Sequence, residues 1–244
     1  MRLRSVVGGL AAGALGTAAA NRSLRERAGP LPPPLVGEQD TYRWRGFDVE
    51  YTVAGDEADP DVLFLHGIHA AASAQEFDRV FDLLCENHRV VAPDLPGFGR
   101  SDRPPVRYGA ALYEEFVASF AADVTKDATC IATSLSGAYA AANCDAFSEL
   151  VLVCPTDDTG PGLPWLGSLF RSPLVGEGLF NVLTSRPSLR YFDEREGYHA
   201  TPDDATLDYQ YRTAHQAGAR FAPAAFVGGD LDRHDEFTVA TTAL

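Results

Sequence analysis

This chain has almost no lysine. Of its 20 basic residues, all but Lys126 are arginine, and they face 34 Asp and Glu for a net charge of −14. A nucleic-acid partner needs a basic face, so this balance excludes that class. An acidic, lysine-poor surface points instead to a high-salt cytoplasm. Cysteine is scarce as well: Cys85, Cys130, Cys144 and Cys154 show no C-x-x-C spacing, which argues against a zinc or redox site. They are expected as free, buried thiols that act as small hydrophobes in a reducing compartment. No metal and no other cofactor is expected. No apolar run is long enough to span a bilayer comfortably, since the best candidate runs only from Val6 to Ala20.

What is present is the material of a folded α/β protein. The chain has 244 residues and is 45% hydrophobic, enough for one domain with an insertion. Residues 1–28 stand apart. Arg2 and Arg4 precede the small-residue apolar run, and Arg22, Arg25 and Arg27 close it. We expect a helix that stays attached and rests on a membrane surface; a signal peptide cut after Ala20 is the alternative. Residues 29–40 begin with a proline-rich stretch, read as a stiff linker.

From residue 41 the pattern changes. Thr41–Trp44 and Phe47–Val53 alternate around Arg45-Gly46, as in a β-hairpin. Val62–Leu65, Arg89–Ala92, Thr129–Ala132 and Leu150–Val153 are short apolar runs, expected as parallel strands covered on both faces. Helical spacing lies between them, at 77–84, 112–124 and after 134. Strands alternating with helices imply a mostly parallel sheet between helical layers over residues 41–155. Residues 156–228 hold short helical pieces broken by prolines, expected as a helical cap, and 229–244 read as an irregular tail. Phe226–Asp232 fits either the end of a cap helix or one more strand; the helix is preferred.

One segment organises the rest: Thr129-Cys-Ile-Ala-Thr-Ser-Leu-Ser-Gly-Ala-Tyr-Ala140. A strand that turns sharply into a helix lifts one residue clear of the backbone, and its neighbours two before and two after must be small. Ala132 and Ser136 flank Ser134 in that way. The strict G-x-S-x-G pattern is missed, but the steric need is met.

Together with this segment, Leu65-His66-Gly67 and Asp94-Leu-Pro-Gly-Phe-Gly-Arg-Ser-Asp102 resemble, in order and spacing, the α/β-hydrolase superfamily over residues 42–155. The resemblance implies an α/β fold of that type and a small-molecule acyl substrate. Ser134 would be the nucleophile, and the backbone N–H groups of Ile68 and Leu135 the oxyanion donors. His66 and Gly67 would form the supporting loop, with His66 structural; His69 is read as a pocket or surface residue. A serine at the elbow, where dehalogenases and epoxide hydrolases carry Asp, favours ester or related acyl hydrolysis.

The rest of a triad is harder to find. The family's order is Ser, then Asp or Glu, then His. Asp232 is the candidate acid and His234 the candidate base, with Asp157 a further possible acid. His199 and His215 are expected at the surface. The family's last strands are expected to be missing, as in a chain truncated at its C-terminus, so both acid and base would be absent. The rival reading is then a non-catalytic remnant or a binding scaffold.

Overall fold

The computed structural model describes residues 3–196 and 203–233. Its sheet starts with the expected hairpin. Strands β1 (Glu38–Trp44) and β2 (Phe47–Ala54) pair antiparallel, with Trp44 opposite Phe47. Arg45 and Gly46 between them have φ of 48° and 91°. A two-residue turn with both φ positive twists in the same sense as its strands, which is why it closes a tight hairpin.

Four further strands follow: β3 (Asp61–Leu65), β4 (Arg89–Pro93), β5 (Thr129–Thr133) and β6 (Glu149–Val153). The sheet order is β1-β2-β4-β3-β5-β6. β4, β3, β5 and β6 are mutually parallel, and β2 joins β4 antiparallel.

Strand alternation explains how the two faces are filled. Leu63 and Leu65 of β3 point to the face covered by helices α3 (Ala110–Val124) and α4 (Leu135–Ala141), into a core with Phe116, Phe120 and Tyr139. Val62 and Phe64 point to the opposite face. There they pack on Phe77 and Phe81, the latter from α2 (Asp78–Leu84). Phe64 and Phe77 stack with centroids 4.1 Å apart.

β6 departs from expectation. It is the outermost strand among the described residues, and it is not covered on both faces. Its Leu150 and Leu152 lean on the α3–α4 core, whereas Val151 and Val153 are 40% and 44% exposed. No described helix covers that half of the α2 face. The cysteines are also less buried than expected: all four are free, but only Cys130 is buried, and Cys144 and Cys154 are exposed.

After β6 the chain forms α5 (Pro164–Arg171), α6 (Val175–Leu183), α7 (Arg186–Glu196), α8 (Asp204–Ala214) and α9 (Phe221–Gly228), with no strand in the described part. α9 ends on Gly229, which is left-handed at φ 77°, a common helix stop. Phe226–Gly229 is therefore helix end and not strand.

The N-terminal segment is less separate than the sequence suggested. It forms helix α1 (Leu3–Ala28), whose C-terminal half packs on α6 and α8. Asn21 is buried; its side chain donates to Leu174 O and accepts from Asn181 Nδ2 at 3.0 Å. The proline-rich stretch is also tied down. Arg212 Nε donates to Ala28 O, Gln216 Nε2 to Gly29 O and Tyr209 Oη to Pro32 O. Proline-rich backbone has few N–H groups but keeps its carbonyls, and α8, with Gln216 just beyond it, supplies the donors. Among the described residues no helix is long and apolar enough to cross a membrane.

Candidate functional site

Ser134 lies at the carboxyl end of β5 and directly begins α4. Its φ of 54° and ψ of −132° are unusual for any residue with a side chain. Such a conformation costs roughly 1–3 kcal/mol and persists only where the surroundings impose it. Here the surroundings can be named. Ser134 N–H donates to Val153 O at 3.1 Å, and Ser134 O accepts from Gly137 N and Thr156 N. Ala132 and Ser136 on either side are fully buried, so larger side chains would have no room. A Cβ on Gly137 would lie 3.1 Å from Pro155 Cβ, which is why this turn of helix can sit so close to the strand behind it.

The His-Gly loop passes against the serine. A Cβ on Gly67 would be 3.3 Å from Thr133 Oγ1 and 3.4 Å from Ser134 Cβ. His66 is completely buried, and its Nε2 accepts from Leu95 N at 2.9 Å. Its Nδ1 must therefore carry the proton, which it donates to Gly67 O at 2.7 Å. Burial pushes the imidazole pKa down and keeps it neutral, as this pattern requires. Asp94 links the next loops in the same way: its carboxylate accepts from Ala74 N and Arg100 N, each at 2.8 Å. The expected structural role for His66 thus has a geometry: it joins the turn at 94–102 to the loop that carries Ile68.

The peptide planes of that loop matter for Ile68 N–H. Gly67 O and Ile68 N–H belong to one trans peptide, so the bond from His66 to Gly67 O turns Ile68 N–H the opposite way. Leu135 N–H is the first amide of α4 and has no partner within the helix.

Two partners were missed in the sequence. Ser136 meets the turn's need for a small residue, and its Oγ also donates to His66 O at 2.6 Å and ties the elbow helix to the loop. Glu76 matches no motif in the sequence. Its Oε2 accepts from Gly67 N at 3.0 Å and Thr133 Oγ1 at 3.3 Å, and its Oε1 accepts from His69 Nε2 at 2.8 Å. Burial pushes the Glu76 carboxyl up, but His69, His66 and the Gly67 amide outweigh burial and hold its pKa below the ordinary value. The one signal for this pair was a His and a Glu seven residues apart beside the His-Gly motif.

The candidate acid and base are not brought together with Ser134 in the described residues. Asp232 sits just past α9, where its Oδ1 accepts from Thr159 N at 2.8 Å and Thr159 Oγ1 at 2.6 Å. Asp157 lies alongside, its carbonyl accepting from Arg233 N. His234 and His199 are outside the described residues. His215, expected at the surface, is buried: its ring stacks on Tyr211 at 4.0 Å and its Nδ1 donates to Tyr211 O. It is held there by its own helix turn, far in role from a catalytic base. Among the described residues no imidazole hydrogen-bonds Ser134 Oγ, and no group of three or more His, Cys, Asp or Glu could hold a metal ion.

Ser134, Thr133, Ile68, His69 and Glu76 open into a cavity of about 980 Å³. Helices α6 and α7 contribute Phe180 and Leu189 to its walls, α9 contributes Phe226, and Phe64 and Ile131 belong to the sheet's α2 face. Polar side chains line it from both sides: Thr133, Ser134 and Glu76 near the sheet, and Asp193 and Gln210 on α7 and α8. Such an arrangement can hold an apolar group on its walls and present a polar reacting centre to the serine hydroxyl.

Comparison with known proteins agrees with this architecture. Stretches of the chain are similar to a haloalkane dehalogenase of Psychrobacter cryohalolentis, with 48% identity over 52 residues, 21% of this chain and 16% of that protein. The chain spans about a fifth or less of the length of the curated relatives it matches. Among solved structures, Cfl2 of Burkholderia cenocepacia superposes with a TM-score of 0.62 at 22% identity, covering 79% of this chain and 70% of that one. A serine hydrolase involved in carbazole degradation gives 0.56 at 20% identity, over 78% and 68%. At these identities the likeness is one of fold. The model of the alpha/beta hydrolase family matches residues 62–242, most of the chain, and with the sheet order and the strand–serine–helix turn this establishes that the chain belongs to the alpha/beta hydrolase family.

Proposed function

We propose that this protein is a serine hydrolase that cleaves an ester or related acyl compound, with Ser134 as nucleophile. One observation carries the reading: Ser134 alone occupies the strained turn between β5 and α4, and it lines the largely apolar cavity. The carbonyl carbon would be attacked by Ser134 Oγ as its proton passes to a base, for which His234 is the candidate, and the oxygen that gains charge would be received by Ile68 N–H and Leu135 N–H. Helices α5–α9 serve as the cap that shapes the acyl pocket. A haloalkane dehalogenase and a protein described as a putative epoxide hydrolase of Pseudomonas aeruginosa are among the similar proteins. Their displacement chemistry is disfavoured here because a carboxylate nucleophile forms an ester intermediate, whereas a serine at that position suits acyl transfer.

A series of p-nitrophenyl esters of increasing acyl length tests this. Each buried methylene is worth about 0.8 kcal/mol, so kcat/KM should rise roughly fourfold per methylene until the cavity is filled. Turnover should vanish in Ser134→Ala. Turnover that survives unchanged in that variant would contradict the assignment.

A second reading starts from the base, whose candidate, His234, lies outside the described residues: a weakly active remnant or a binding scaffold. Loss of a triad member leaves only about 10³–10⁴-fold acceleration over water. Slow turnover, indifferent to His234→Ala, would support it; robust turnover lost in that variant would refute it.

The same proposal keeps the protein in the cytoplasm with α1 against a membrane surface. The five arginines of residues 1–28, with Glu26 the one acid, stand out in a chain of net charge −14. Co-sedimentation with anionic vesicles is expected and should weaken with salt. Equal recovery with neutral and anionic vesicles would contradict it.

A further inference from the structure

We propose that Glu76 is a positioning residue for Ser134: its carboxylate sets the spacing and orientation of the Ile68 loop relative to the serine. The proposal rests on the serine-hydrolase reading above. Its basis is one side chain that joins three parts of the site. Oε2 accepts from Gly67 N, in the loop, and from Thr133 Oγ1, the residue before Ser134. Oε1 accepts from His69 Nε2, on the far side of Ile68.

The consequence for Ile68 follows from the backbone. Two successive peptide planes lead up to its amide. The plane between Gly67 and Ile68 is fixed by His66 Nδ1 on Gly67 O. The plane between His66 and Gly67 is held from both sides, by Glu76 on Gly67 N and by Ser136 Oγ on His66 O. Without Glu76 the His66–Gly67 plane is held by its carbonyl alone, and the Gly67 amide loses its tie to the sheet through Thr133, which leaves Gly67 freer to turn. The loop can rotate there without strain because Gly67 carries no side chain.

Glu76 also fixes translation as well as rotation. Thr133 is in the sheet, one residue before the serine, and the loop hangs from the same carboxylate oxygen. The two therefore keep a constant separation as the chain fluctuates. Displacements of about 1 Å at such a site can cost 10²-fold in rate. The side chain of Glu76 is only 20% exposed, so water competes poorly for its acceptor oxygens. Alanine would leave the Gly67 amide and Thr133 hydroxyl without this partner. Glutamine keeps one oxygen for them but turns an N–H₂ toward His69, whose Nδ1 already accepts from Ala71 N. It should therefore restore part of the positioning.

The test measures inactivation of the full-length protein by a fluorophosphonate, which reads kinact apart from KI. Glu76→Ala should lower kinact about tenfold to a hundredfold with KI within threefold. Glu76→Gln should recover part of that loss. Amide exchange supplies a readout that needs no chemistry: the Gly67 amide should lose protection in Glu76→Ala, while β3 amides keep theirs. A folded Glu76→Ala with wild-type kinact, or with unchanged Gly67 protection, overturns the positioning role and leaves Ser134's role intact. A wild-type protein that the probe never labels overturns the serine reading, and this proposal with it. Should Glu76→Ala fail to fold, Glu76→Gln carries the test: kinact below wild type with unchanged KI supports the role, and wild-type kinact contradicts it.

Discussion

His66 shows how a single residue can carry both geometry and a pH dependence. It must be neutral to accept from Leu95 N, and burial keeps its pKa below 6.5. The sign follows from linkage. In the unfolded chain the imidazole takes a proton near its ordinary pKa of 6.5, while the folded form refuses it until lower pH. The folded state thus loses stability as pH falls below that value. His215, buried and facing the charge of Arg186, acts in the same direction. The urea midpoint should be lower at pH 5.5 than at pH 7.5, and the difference should shrink in His66→Gln. A midpoint that is flat or rises on acidification would contradict this. At this scale the sequence was informative where backbone did the work and silent where side chains met across the fold. Ser134 was readable because the elbow is a local steric pattern. Glu76 and the hydroxyl of Ser136 were not, because their partners are brought to them by folding: Ser136 Oγ meets His66 O seventy positions away.

Among the elements, α1 is where local reading and tertiary packing part. Composition alone suggested a separate segment followed by a linker. The structure instead buries Asn21 against Asn181 and pairs Arg25 with Glu177 of α6. Asn181→Ala would leave the Asn21 Oδ1 buried without this donor, at a cost of about 1–3 kcal/mol. Chemical denaturation should show that loss as a lower midpoint, and a change under about 0.5 kcal/mol would mean that α1 is not docked as described. β6 was mistaken in the other direction. Its apolar run resembles that of a central strand, but Val151 and Val153 face the side where no described helix lies. An apolar run reports that a strand is apolar; only the neighbouring elements decide whether it is covered. The helices α5–α9 were legible as a class because prolines at 161, 164, 173, 187 and 202 divide the segment, while their packing against α1 was not.

At the scale of the whole molecule, the strand order, the two filled faces and the cavity between sheet and helices all place one residue in a distinctive position. Sequence order supplied most of this, since each βα unit is local and the parallel pairing follows from the crossovers. It did not supply the extent of the cavity, which combines helices α5–α9 with the open part of the α2 face through Phe64, Ile131 and Val153. The central claim is that Ser134 is the nucleophile. Fluorophosphonate labelling followed by peptide mapping tests it most directly. The account predicts one adduct, on the peptide carrying Ser134, and none in Ser134→Ala. A folded protein that carries no adduct, or carries it on another serine, would contradict it.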